Sequence, residues 1–230
     1  LRIYTGIAFF LAVVSVALAD EPNPAPSALI DDYVAVSKAQ EGRLEGASME
    51  VVIVADVPNL HKSASLHALR RISAFGRRIT YDALRFDGDR SVKNDVIARY
   101  LTAESEALKS APTDMAVTPA NYKFKYRGLI VRDGRNVYAF QVTPRKKRLG
   151  LFVGELWLDR ETHLAVREAG RLVKSPSFFV RKIEFVRDFR IQDGVAIPTH
   201  VESSVDTRLV GKANVSVAYS SVSLAGSAGQ

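Results

Sequence analysis

The chain contains no cysteine. This excludes disulfides, cysteine-ligated zinc, iron–sulfur clusters and thiol nucleophiles. Histidine is scarce, with four residues in 230. His61, His67, His163 and His200 are scattered, and no two show the i, i+4 spacing around a glutamate that a helical zinc site needs. There is no Gly-x-Ser-x-Gly elbow, and neither a glycine-rich phosphate loop nor a dinucleotide fingerprint. Asp87-Gly-Asp89 lacks the further ligands of a calcium loop and reads as a turn. The expectation is therefore a non-enzyme with no cofactor, no metal and no catalytic residue, an envelope hydrolase being the minor alternative.

Long apolar runs are also missing, with one informative exception. From Gly6 to Ala19 there is no charge, and residues 7–14 are apolar throughout. A membrane-spanning helix needs about 20 apolar residues, and this core is shorter. Arg2 precedes it, and Ala17 and Ala19 supply a small-x-small cleavage pattern just before Asp20 and Glu21. Residues 1–19 thus read as a signal peptide for the general export pathway, cleaved after Ala19, which places the mature protein in the periplasm. No twin arginine and no lipidation cysteine accompany it. Pro22, Pro24 and Pro26 make residues 20–27 a flexible leader, residues 28–224 form a single domain, and 225–230 form a flexible tail.

The net charge is +7; without Arg2 the chain holds 31 basic against 25 acidic residues. Outside the cytoplasm this surplus suits anionic lipid headgroups or an acidic envelope polymer rather than nucleic acid. A plain solvated surface fits it equally.

The pattern of apolar residues sets the fold. Ser27 is placed to cap a helix over 28–39, in which Leu29, Ile30, Tyr33, Val34 and Val36 recur near helical spacing. Period two then takes over. Met49, Val51 and Ile53 form one strand face, and residues 66–74 and 77–86 form a hairpin turning near Gly76. Residues 91–108 break the alternation: Val92, Val96, Ile97, Tyr100 and Leu101 have helical spacing behind Ser91 as N-cap. Seven strands follow from Tyr122, with turns at Asp133-Gly134, Asp159-Arg-Glu-Thr162 and Asp193-Gly194. The prediction is helix, three strands, helix, seven strands, in a meandering antiparallel sheet able to curl.

Short stretches in the second half carry a family likeness: Tyr122-Lys-Phe-Lys-Tyr126 with Gly128, Val137-Tyr-Ala-Phe140 running into Pro144-Arg-Lys-Lys147, Gly154-Glu-Leu-Trp-Leu-Asp159, and Asp193-Gly-Val-Ala-Ile-Pro198. With the element order, the chain resembles exported members of the outer-membrane lipoprotein-sorting superfamily of the LolA/LolB type, with relatives of the RseB/MucB sensor type. The resemblance implies an α+β, mainly β fold: a curved antiparallel sheet forming a half-open barrel covered by two helices. It also implies a periplasmic soluble carrier or sensor that binds lipid, acyl chains or lipidated protein in an apolar cavity. A non-catalytic protein-interaction or envelope-stress sensor module with a filled core is the alternative. In the dedicated lipoprotein carrier a strand arginine holds the helical lid shut; which arginine takes that place here the sequence leaves open.

Period two groups Tyr122, Phe124 and Tyr126 with Tyr138, Phe140, Leu156 and Leu158. These are the candidate ligand-binding residues, and ordinary core under a helix would have the same pattern. Trp157 falls on the opposite face, beside Val153 and Glu155. Arg145, Lys146, Lys147 and Arg148 crowd a hairpin tip and are the candidates for headgroup or surface contact. The partners implied are lipid or lipoprotein acyl chains, envelope proteins, and the membrane surface in transient contact.

Overall fold

The computed structural model describes residues 24–73, 78–109, 112–176, 180–208 and 211–224. The expected signal peptide, residues 20–23 of the leader, the tail and the turn near Gly76 lie outside the described residues. No helix among the described residues is long and apolar enough to cross a membrane.

Helix α1 (Pro26–Glu41) begins two residues earlier than its sequence pattern. Ala25, not Ser27, occupies the N-cap, with no side-chain cap, and Pro26 enters the first turn, where its missing N–H costs nothing. Strands β1 (Ser48–Val57), β2 (Lys62–Ile72) and β3 (Ile79–Gly88) follow. A helical stretch then runs through α2 (Arg90–Val92), a π-helical segment (Lys93–Ile97) and α3 (Ala98–Lys109), before the short α4 (Pro112–Met115). Seven strands complete the chain: β4 (Tyr122–Arg132), β5 (Arg135–Pro144), β6 (Phe152–Asp159), β7 (Ala165–Leu172), β8 (Val180–Gln192), β9 (Val195–Thr207) and β10 (Lys212–Ser223).

All ten strands lie in one antiparallel sheet, ordered β3-β2-β1-β10-β9-β8-β7-β6-β5-β4. The last strand pairs with the first, while β3 and β4 are both edges, so the curved sheet stays open. The expected half-open, helix-covered sheet is the architecture found. The segment 89–121 carries the chain from one edge to the other. Asp133-Gly134 and Asp193-Gly194 are hairpin turns in which both residues take positive φ, 50° and 75° in the first, 51° and 68° in the second. That is the twist-matching turn that Asp-Gly favours.

Cross-strand pairing traces one inner row through the whole sheet: Phe86, Leu66, Ile53, Val217, Val201, Arg187, Glu168, Leu156, Phe140, Tyr126. The row is apolar at both ends and charged in the middle. Its ends belong to two separate cores. One joins Met49, Val51, Ile53, Leu66, Val215 and Val217 to Val92 and Ile97 of the helical stretch, with Val96, Tyr100 and Leu101 packed against it. The other joins Tyr122, Tyr138, Phe140, Val142, Phe152, Leu156 and Leu158 to Leu29 and Tyr33 of α1. Each helix therefore covers its own half of the inner face.

The N-cap of α2 is Asp89, and Ser91, the residue expected there, lies inside the first turn. Asp89 Oδ1 accepts from the Ser91 hydroxyl, from the Ser91 N–H at 2.8 Å and from the Val92 N–H at 3.2 Å. The Ser91 hydroxyl bond, then the Val92 N–H bond, push the Asp89 carboxyl down to about 2. An unfolded aspartate titrates near about 4, so the cap stabilises the folded state above that value and is lost as pH falls towards 2. Amide-exchange protection of Ser91 and Val92 is expected to fall across that window, and in Asp89→Ala to be low already at neutral pH.

Candidate functional site

The seven aromatic and aliphatic candidates come together on the inner face under α1. Tyr122, Tyr138, Phe140, Leu156 and Leu158 are buried there, and Phe124 and Tyr126 pack half-buried against them from the edge strand β4. Ring contacts link them: Tyr126 to Phe140 at 5.3 Å, Tyr126 to Tyr138 at 6.4 Å, and Phe124 edge-on to Phe140 at 6.2 Å. A bulge between Tyr126 and Gly128 then resets the alternation and puts Leu129 opposite Tyr138. The Tyr122 hydroxyl accepts from the Phe152 N–H at 3.2 Å, and burial pushes it up to about 12. The Tyr126 hydroxyl oxygen is buried with no hydrogen-bond partner among the described residues. With α1 in place these side chains pack against its Leu29 and Tyr33.

The four basic candidates separate. Arg145 Nε donates to the Pro119 carbonyl at 2.7 Å, and Arg148 donates to Asn121 and pairs with Asp114 at 3.5 Å. These two brace the loop before β4. Lys146 and Lys147 stand exposed. Trp157 lies on the opposite face from Leu156 and Leu158, as its position in the alternation predicts. It is held between the guanidiniums of Arg132 (5.6 Å) and Arg167 (5.1 Å), and its Nε1–H donates to Glu155 at 3.2 Å.

Two charged arrangements on the inner face escaped the sequence reading. Beneath α3, Arg70 of β2 is buried and donates from Nε (3.2 Å) and Nη2 (2.8 Å) to one carboxylate oxygen of Glu104. The Tyr81 hydroxyl donates to the other oxygen, Tyr100 donates to Tyr219, and the Arg70 guanidinium lies 6.0 Å from the Tyr219 ring. Burial first, then their charged and polar neighbours, among them the Glu104 carboxylate, hold these three tyrosines protonated far above the usual range. Burial opposes the Arg70 charge, but Glu104 and the tyrosines outweigh it and raise its pKa. The second arrangement is Glu168 with Arg187, paired at 3.0 Å between the two cores. Phe185 lies beside it, under the Arg187 guanidinium at 5.8 Å and edge-on to Phe152 at 5.0 Å.

The signal for both was present in the alternation. Arg70 falls on the same parity as Leu66 and Ala68, and Glu168 and Arg187 fall on the inner parity of β7 and β8. A charge at an apolar position must find a partner.

No protein-family model and no curated protein matches the chain. Among solved structures it is similar to a DUF1329 family protein from Desulfovibrio piger, at 13% identity over 87% of this chain and 93% of that one, with a TM-score of 0.43. It is similar to a LolA superfamily protein from Nitrosomonas europaea at 11% identity over 88% and 94%, with a TM-score of 0.43. A third is an outer membrane lipoprotein-sorting protein domain from Vibrio parahaemolyticus, at 10% identity over 86% and 94%, with a TM-score of 0.39. These likenesses are remote, and the architecture rests on the strand pairing itself: an open, curved antiparallel sheet with helices on its inner face, the helix-covered half-open sheet expected from the sequence.

Proposed function

We propose that the chain is a periplasmic carrier or sensor that binds lipid, acyl chains or lipidated protein on the inner face of its sheet. The observation that carries the reading is how α3 is held. Besides its apolar side chains, it is fastened by the Arg70–Glu104 ion pair and the Tyr81 hydroxyl. A buried ion pair adds little net stability over an apolar contact, and its best-attested use is to fix one arrangement against others. Arg70 would then serve as the strand arginine that closes a helical cover. Because each helix packs on the apolar side chains beneath it, acyl chains would enter as a helix swings away, and binding would shift the population towards the open form. The Tyr126 hydroxyl, which has no partner among the described residues, would donate to an ester or carboxylate oxygen of such a ligand. Tyr122, Phe124, Tyr138, Phe140, Leu156 and Leu158 would line the rest of the path, and Lys146 and Lys147 would meet the headgroup side.

The packing of both helices onto the sheet also favours a second reading, a protein-interaction or envelope-stress sensor module without a lipid cargo. Its attachment point would be the free edge of β4, where Ile130 and Val131 are exposed and a partner strand can add. Native mass spectrometry of gently purified protein separates the two. The carrier reading expects bound acyl-bearing molecules, or their uptake on exposure to lipid; a bare polypeptide under both conditions favours the module.

A further inference from the structure

The strongest unassigned feature is a basic depression at one end of the sheet, where the β5–β6 connection meets the β7–β8 hairpin. Its volume is about 390 Å³, within the range of small-molecule sites. Lys147, Arg171, Arg181 and Lys182 line it, and no carboxylate is among the described lining residues. Glu184 pairs with Lys182 at 2.6 Å. Glu184 also stands directly opposite Arg171 across the β7–β8 pair, and the Lys182 bond, then the charges of Lys182, Lys212 and Arg171, hold its carboxyl below the usual range. Lys147 and Arg181 make no ion pair among the described residues. Cations gathered on one concave wall raise the local potential and concentrate anions there, and two guanidiniums offer the forked donors that suit phosphate oxygens. The remaining wall includes Leu172 and Val173, which also pack against the apolar core under α1. The depression therefore joins a cationic wall to the apolar inner face, the layout an anionic amphiphile needs.

We propose that this depression binds the phosphate headgroup of an anionic phospholipid, with Arg171 and Arg181 gripping the phosphate and Lys147 and Lys182 adding charge. The direction of the acyl chain over Leu172 and Val173 rests on the carrier reading; the headgroup site does not.

The test is flotation of the full chain with phosphatidylglycerol-containing vesicles and with pure phosphatidylcholine vesicles. Two double variants each remove two exposed cations: Arg171→Gln with Arg181→Gln in the depression, and Arg85→Gln with Arg99→Gln on the other half of the molecule. Wild type is expected to prefer the anionic vesicles. The depression variant should lose about tenfold or more in affinity, at roughly a kcal/mol per cation near an anionic surface, and the distant variant less than about twofold. Equal losses in the two variants, or no preference between vesicles, would overturn the site. Displacement from vesicles by inorganic phosphate at constant ionic strength would overturn the lipid assignment in favour of free phosphate. Unchanged thermal melting of both variants keeps the comparison one of binding. Acyl retention in native mass spectra is read separately, so failure of the carrier reading leaves the vesicle result standing, and the reverse also holds.

Discussion

Glu104→Ala is expected to destabilise the protein by about 3 kcal/mol, the lower end of what breaking a buried ion pair costs. The pair is not fully sealed, since the Arg70 and Glu104 side chains are 10% and 20% exposed. Removal of the carboxylate leaves the Arg70 guanidinium, among the described residues, with the Met49 sulfur at 3.6 Å and the Tyr219 ring, and deprives the Tyr81 hydroxyl of its acceptor. The loss is read from urea unfolding, and at this chain length corresponds to a fall of about 10 °C in melting temperature. Replacing both partners by apolar residues, Arg70→Met with Glu104→Leu, should recover most of it, because the cost lies in the orphaned charge and not in the missing attraction. If Glu104→Ala melts like wild type, α3 is held by its apolar side chains alone, and the latch has no role.

Gly154→Ala is expected to be at least as damaging, on the order of 3 kcal/mol or more. Gly154 of β6 and Gly170 of β7 face each other in register on the inner side. A Cβ at Gly154 would lie 2.0 Å from the Ala169 carbonyl oxygen and 2.6 Å from Gly170 Cα. Both are backbone atoms of the neighbouring strand, so no side chain can turn aside to make room. At Gly170 the added carbon would meet the Val153 carbonyl oxygen at 2.4 Å and the Phe152 ring at 2.9 Å. The glycine pair lets the two strands coil tightly while Phe152 and Phe185 fill the space beside it. Gly42→Ala is the contrasting substitution: its φ is −65° and nothing lies within 4 Å of the added carbon. It should be neutral or slightly stabilising. Thermal unfolding followed by circular dichroism ranks the three proteins, and equal melting of Gly154→Ala and wild type would refute the packing argument.

Much of the fold was legible because it depends on local pattern. The alternation in 122–126, 137–143 and 152–158 places the aromatic candidates on one face, and the Asp-Gly turns carry their own backbone signal. Trp157 could be assigned to the outside by counting from Leu156. What stayed hidden depends on residues far apart in the chain. Arg70 and Glu104 are 34 positions apart, on a strand and a helix whose relative placement no local pattern encodes. Helix starts differ from the sequence pattern for a related reason: Ser27 and Ser91 are good capping residues, but Pro26 ahead of the first enters the first turn and Asp89 ahead of the second takes the cap. The scatter of Arg145 to Arg148 into bracing and exposed residues follows from Pro119, Asn121 and Asp114, which approach from another part of the chain.

The central claim is that the inner face is an acyl-binding surface under movable helices. The most direct measurement is the native mass of wild type and Glu104→Gln side by side, before and after incubation with lipid. The account predicts bound acyl-bearing mass on wild type and a larger bound fraction on the variant, whose α3 has lost its charged fastening. A bare polypeptide in both proteins, before and after lipid, would contradict it.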